Sequence, residues 1–166
     1  MSKHSKATGF HPVRHNRLIE EYRHDTYKTR GKPAEPAVCP VCGVVFHDGR
    51  WQWLPRPAQA EPETCPACHR IADQFPAGFV QLSGDFLADH DQEVMQLVNH
   101  TASEESGRHP LERIMATTAA DGGLLITTTG IHLARRLGEA LHHAYQGELE
   151  FHYNEDEMLL RVHWRR

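Results

Sequence analysis

The four cysteines restrict what this chain can fold into more than any other feature. They form two pairs, Cys39-Pro-Val-Cys42-Gly and Cys65-Pro-Ala-Cys68, with none left over. Two residues between cysteines let one tight turn aim both sulfurs at a single point. Two such turns build a tetrahedron of thiolates, the geometry that structural Zn²⁺ takes. The coordination shell is then closed, with no position for water or substrate. The expectation is one Zn²⁺ per chain held by Cys39, Cys42, Cys65 and Cys68, structural rather than catalytic.

The insert between the pairs supports a ribbon. Val44-Val45-Phe46-His47 and Arg50-Trp51-Gln52-Trp53 flank Asp48-Gly49, and Asp-Gly favours a two-residue type I′ hairpin turn. That turn sets His47 opposite Arg50, Phe46 opposite Trp51 and Val44 opposite Trp53. Phe46, Trp51, Val44 and Trp53 then share one face. Leu54 to Thr64, rich in Pro and Ala, reads as a loop returning to the second pair.

Composition bounds the rest. A length of 166 residues suits one ordinary domain, or a small domain beside a compact one, and 39% hydrophobic residues permit a core. No apolar run is long enough to span a membrane. No basic-then-apolar leader is seen either, so the expected location is the cytoplasm, where paired cysteines favour metal over disulfide. Residues 1–33 carry eight basic against three acidic side chains, a net of +5, which leaves −9 for the remainder of a chain whose total is −4. A basic arm on an acidic body points to a polyanionic partner.

Residues 1–13 show no periodicity and are expected to be mobile. Leu18, Ile19 and Tyr22 suggest a short helix over 16–27, and 31–36 reads as an extended linker. Beyond the second cysteine pair, a short helix is expected over 69–75 and a strand over 79–83. A helix follows from Gly84-Asp85 to about Ser103, with Leu87, His90, Val94, Leu97, Val98 and Thr101 as its stripe. A β-branched stretch over 112–118, the turn Asp121-Gly122 and a strand over 124–129 come next. Thr129 is expected to cap a helix that ends at Gly147 and buries Ile131, Ala134, Leu137, Gly138, Leu141 and Tyr145. The last element is a hairpin with a turn at 154–157, pairing Phe151 with Leu160, Leu149 with Val162 and Glu150 with Arg161.

The order β-α-β-β-α-β-β predicts an α+β fold: a ferredoxin-like split βαβ domain over 77–166, extended by an extra C-terminal strand. A zinc ribbon over 37–76 and a basic arm with linker over 1–36 precede it.

Chemistry outside the cysteines is sparse. Glu150, His152, Leu159, Arg161 and His163 share the open face of the last hairpin and read as a solvated face, with an acid–base site as the sharper alternative. His142 and His143 point about 100° apart on their helix and do not share a metal. Trp51, Trp53 and Phe46 are either the core of a very small domain or a platform on which bases stack. Arg50, Arg56 and Arg70 lie near them in sequence and could reach phosphates.

Cys39-Pro-Val-Cys42-Gly with Cys65-Pro-Ala-Cys68-His-Arg70 resembles a zinc knuckle pair of the ribosomal large-subunit export-adapter family, the proteins related to nonsense-mediated decay protein three. It is also similar to short bacterial zinc-ribbon proteins. The resemblance covers about residues 38–75 and implies binding to the large ribosomal subunit without catalysis. That family's N-terminal region carries more cysteines than the four here. The same four-sulfur spacing resembles rubredoxin, where the metal is iron, and Cys-Pro-x-Cys occurs in thioredoxin-like redox sites.

The functional expectation is a non-enzymatic, zinc-binding protein associated with RNA or the ribosome. Its nucleic-acid contacts would be Arg14, Arg17, Arg23, Lys28 and Arg30 in the arm and Arg50, Trp51 and Trp53 in the ribbon. The alternatives are a protein–protein adaptor with a structural zinc ribbon, and a rubredoxin-like or thiol redox protein.

Overall fold

The computed structural model describes the backbone of residues 11–12, together with residue 27 and residues 31–166. Its first element is β1 (His11–Pro12), so part of the stretch expected to be mobile is a short strand. The expected helix over 16–27 lies outside the described residues, Tyr27 excepted.

The ribbon is a four-stranded sheet of β2 (Ala37–Val38), β3 (Val45–His47), β4 (Arg50–Gln52) and β5 (Glu61–Pro62), in the order β4-β3-β2-β5. The β3–β4 register places His47 opposite Arg50 and Phe46 opposite Trp51, as the Asp-Gly tip requires. Asp48 and Gly49 both take positive φ, 51° and 76°, the conformation of a type I′ turn. The expected loop over 54–64 contributes β5, which runs parallel to β2.

Helix α1 (Pro66–Asp73) starts earlier than the expected 69–75. Cys65 is its N-cap, with its sulfur accepting the Cys68 N–H, and Pro66 occupies the first turn, where a missing N–H costs nothing. The second cysteine knuckle is therefore a helix start.

The body follows as β6 (Gly78–Ser83), α2 (Asp85–Asp89), α3 (Asp91–Arg108), β7 (Ile114–Ala120), β8 (Gly123–Thr128), α4 (Ile131–Tyr145), β9 (Glu148–Asn154) and β10 (Leu159–Arg165). The single helix expected over 84–103 is two, broken at His90, whose backbone leaves the helical region (φ −131°, ψ 29°). The apolar stripe survives the break: Leu87, Val94, Val98 and Thr101 are all buried.

The body is an α+β fold with a mixed sheet in a ferredoxin-like βαβ arrangement. Its strand order is β1-β9-β10-β6-β8-β7. Strand β10 is parallel to β6 and antiparallel to β9. The extra C-terminal strand therefore does not extend an edge: it is inserted between β9 and β6. It becomes a central strand, and its inward residues Leu160, Val162 and Trp164 are fully buried. The β9 edge is covered instead by β1, with His11 opposite Tyr153.

The last hairpin is shifted by two residues from the expected register. Phe151 pairs with Val162, Leu149 with Trp164, and Glu150 with His163. Asn154 causes the shift. Its side-chain oxygen accepts the N–H of Asp156 and Glu157, holding a four-residue turn one position later than expected, over 155–158, that leaves Asn154 opposite Leu159. A shift of two keeps each residue on its face, so the buried set stands while its partners change.

One face of the sheet packs against α3 and α4 around a core that includes Val80, Leu82, Val98, Ile126, Leu137, Leu141, Val162 and Trp164. The Trp164 indole N–H is satisfied by the Gln146 carbonyl at 2.8 Å. A separate small core holds Cys39, Val44, Cys65, Ala67 and Cys68, with Trp51 and Leu111 packed against it. Leu111 belongs to the α3–β7 connection, so the two modules meet there.

The start of α4 departs from expectation. Its N-cap is Gly130, and Thr129 makes no cap bond. The Thr129 hydroxyl donates to the Leu111 carbonyl (2.6 Å) and accepts the Arg113 N–H (2.8 Å). The helix start is satisfied from outside, by Glu112, whose carboxylate accepts the Leu133 N–H at 2.9 Å. Burial holds the Glu112 carboxyl above its ordinary range despite that bond.

Candidate metal centre

Two local structures aim the four sulfurs. The first knuckle is a turn: Gly43 donates its N–H to the Cys39 carbonyl (2.8 Å) and itself takes φ 80°. The second is the start of α1. The Sγ atoms of Cys39, Cys42, Cys65 and Cys68 all lie within 4.8 Å of one another. Cys39, Cys65 and Cys68 are buried and Cys42 is half-buried.

The geometry fits a tetrahedral ion. A Zn–S distance of about 2.3 Å gives a tetrahedron edge of about 3.8 Å. The Cys42 and Cys65 sulfurs, one from each knuckle, are 3.8 Å apart. Backbone N–H groups already point at the sulfurs, Cys65 N–H at Cys39 (3.3 Å) and Cys68 N–H at Cys65 (3.5 Å). Such donors stabilise thiolate.

The individual thiols differ. Burial raises Cys39, but N–H groups of Cys65, Cys42 and Val41 outweigh it and bring this thiol down to about 7. Cys65 is pushed well up by burial and by the neighbouring sulfurs. Burial also raises Cys68, against the pull of Arg113.

Arg113 was not legible as part of the site. It stands just before β7, 71 positions from Cys42, yet its Nη2 reaches Cys42 Sγ at 3.2 Å and Cys65 Sγ at 3.7 Å. Its Nη1 reaches Cys68 Sγ at 3.4 Å. Burial weakens the charge of this guanidinium, and the sulfurs more than restore it, so its pKa is raised. Nothing in the local pattern around residue 113 marks it; only the folded arrangement does.

Beside the centre lies a cleft of about 970 Å³ between the ribbon and the α3–β7 connection. Arg50, Trp51 and Trp53 line one wall; Arg108, His109 and Leu111 line the other. The expected ribbon contacts are thus brought together at one cleft. Trp51 meets Phe46 edge-on at 5.4 Å. Trp53 donates its indole N–H to the Ser106 carbonyl (2.8 Å), and the Arg113 guanidinium lies 5.7 Å from its ring centre. Arg14, Arg17, Arg23, Lys28 and Arg30 lie outside the described residues. Arg70 does not join the cleft as a phosphate contact. It is buried, bonds the Phe75 carbonyl at 3.0 Å and lies over the Tyr27 ring at 4.5 Å.

On the open face of the sheet, the expected neighbours re-pair with the shifted register. His152 lies opposite Arg161, and the His152 and His163 rings are 5.8 Å apart. Burial and the nearby His152 hold His163 below its ordinary pKa.

No family model matches the chain, and no curated protein or solved structure matches it significantly. The resemblance to the export-adapter family therefore rests on the cysteine spacing alone. What the geometry supports is a cluster of four cysteines able to coordinate a metal ion, on a small α+β fold consistent with a structural, non-catalytic protein. Among the described residues, no helix is long and apolar enough to cross a membrane.

Proposed function

We propose that this chain is a non-enzymatic adaptor that binds a protein partner, with a structural Zn²⁺ held by Cys39, Cys42, Cys65 and Cys68. The observation that carries it is the placement of exposed apolar side chains. Among the described residues, the large hydrophobics left exposed are Val41, Trp53, Leu54, Ile71 and Phe75, and every one lies on the ribbon module. Apolar surface gathered on one module favours a protein over a phosphate backbone. The cleft supplies a seat: β4, with Trp51 at its middle and Trp53 just after it, lines the cleft as the edge strand of its sheet, and an extended segment can add to it.

Zn²⁺ is the ion chosen because four thiolates in a closed tetrahedron are its structural coordination. Thiol redox chemistry is less well supported. A reactive cysteine is exposed with a lowered pKa, whereas Cys39, whose thiol is lowered, is buried, and Cys65 at the helix start is buried with its thiol pushed up. The RNA- or ribosome-associated reading rests chiefly on Arg14, Arg17, Arg23, Lys28 and Arg30, which lie outside the described residues; of its ribbon contacts, Trp53 is tied to Ser106 and Trp51 packs on Phe46.

Titration of labelled ribosomal RNA at two salt concentrations tests the choice, with intact protein and with residues 1–33 deleted. The adaptor reading expects little RNA binding at either salt. Binding with a log–log salt slope near about −3, the slope of four or five phosphate contacts on single strands, overturns it if deletion of 1–33 flattens that slope. Elemental analysis of protein purified without chelator should give one zinc per chain. A coloured, iron-containing preparation would favour the redox alternative.

A further inference from the structure

We propose that Arg113 is the outer anchor of the metal centre, and that through it metal loading locks the ribbon against the α+β body and sets the shape of the cleft between them. The inference rests on the cysteine cluster being a metal centre; it needs no particular partner.

Both ends of Arg113 are fixed, each in a different module. Its backbone N–H donates to the Thr129 hydroxyl (2.8 Å) and its carbonyl accepts the Thr129 N–H (2.9 Å), which bolts it to the β8–α4 junction. Its Nε–H donates to the Pro110 carbonyl at 2.7 Å, which orients the guanidinium plane. The two remaining nitrogens reach three of the four ligand sulfurs, at 3.2, 3.4 and 3.7 Å. Next to it, Glu112 holds the start of α4 and Leu111 packs on the cysteine core. One short connection thus serves the body with its backbone and the Glu112 side chain, and the ribbon with the side chains of Leu111 and Arg113.

The chemistry makes this contact conditional on metal. Four thiolates around a divalent ion sum to a charge of −2, placed where three of the four cysteines are buried. A partly buried anion of that size needs compensation, and a planar guanidinium donates to several sulfurs at once in a way an ammonium does not. Without the ion nothing draws the four sulfurs to one point, and the shared target of the guanidinium fork is lost. The joint then loosens, and the walls of the cleft, Trp53 on one side and Arg108 and His109 on the other, lose their fixed spacing. A partner in the cleft would sense the metal without touching it.

The test uses the full chain, wild type and Arg113→Met, loaded with Zn²⁺. A chromophoric chelator reads zinc affinity, and hydrogen-exchange mass spectrometry reads residues 105–113 with and without zinc. Arg113→Met is expected to weaken zinc binding by about 10- to 100-fold, the usual cost of losing an outer-shell partner. In wild type, zinc removal should raise exchange at 105–113 as well as in the ribbon. In zinc-saturated Arg113→Met, exchange at 105–113 should already be raised. Affinity within about twofold of wild type, or exchange at 105–113 indifferent to zinc, overturns the proposal. If Arg113→Met does not fold, Arg113→Lys keeps the charge but not the fork; it should bind zinc several-fold more weakly, and wild-type values overturn the proposal. A wild-type chain that takes up no zinc overturns the metal-centre reading and this inference together. Failure of the Arg113 effect in a zinc-binding chain overturns this inference alone.

Discussion

Cys42 differs from the other three ligands: it is only half-buried, yet it makes the shortest contact with Arg113. Losing it removes a ligand and leaves the guanidinium facing a hydroxyl. Cys42→Ser should take up less than half an equivalent of zinc by elemental analysis and lose the ordered ribbon, because metal binding supplies most of the folding free energy of so small a core. Glu112 gives a second expectation, in pH. Its carboxyl titrates above the ordinary range in the folded chain because it is buried. The unfolded chain therefore releases this proton first, so the group's contribution falls as pH rises from the unfolded to the folded value. Glu112→Gln keeps an oxygen for the Leu133 N–H and cannot ionise. Urea unfolding between pH 5 and 8 should show the variant gaining on wild type as pH rises. A difference that stays constant across that range would contradict the assignment.

Helix α4 sits so close to the sheet that a Cβ at Gly138 would lie 2.6 Å from Val162 Cγ1 and 3.0 Å from Leu149 Cδ1. Gly107, near the end of α3, has open space around it. The same change should therefore act with opposite sign on the two helices. Gly138→Ala is expected to cost about 1–3 kcal/mol by overpacking. Gly107→Ala should gain up to about 1 kcal/mol from helix propensity. Thermal unfolding of the two variants checks both; a stabilised Gly138→Ala would mean the helix stands off the sheet. The alternating pattern of β10 already told which residues face α4, since Leu160, Val162 and Trp164 are two apart. It could not tell that Asn154 moves the turn one position along, because a two-residue shift leaves that alternation unchanged.

The two hydrophobic clusters share no residue, one built on the sheet and its helices, the other on the cysteines. Residues 77–166, expressed alone, should therefore unfold cooperatively on heating, with Arg113 exposed and no metal bound; a broad, non-cooperative melt would show that the body needs the ribbon. Within the ribbon, short-range rules are enough. Two Cys-x-x-Cys turns and one Asp-Gly tip are local, so each sulfur pair and the β3–β4 register can be read from residues a few positions apart, and with no cysteine left over the two pairs are each other's partners across 23 positions. The same holds for the order of helices and strands in the body, which follows from the period of apolar residues. Strand order across the sheet is another matter. Whether β10 lies at an edge or between β9 and β6 depends on which arrangement buries Trp164 and pairs every backbone group, and that is settled only when all strands are present together. The link between Arg113 and Cys42 has the same origin. It spans 71 positions, no local preference encodes it, and it exists because folding brings a cation and a cluster of sulfurs to one place.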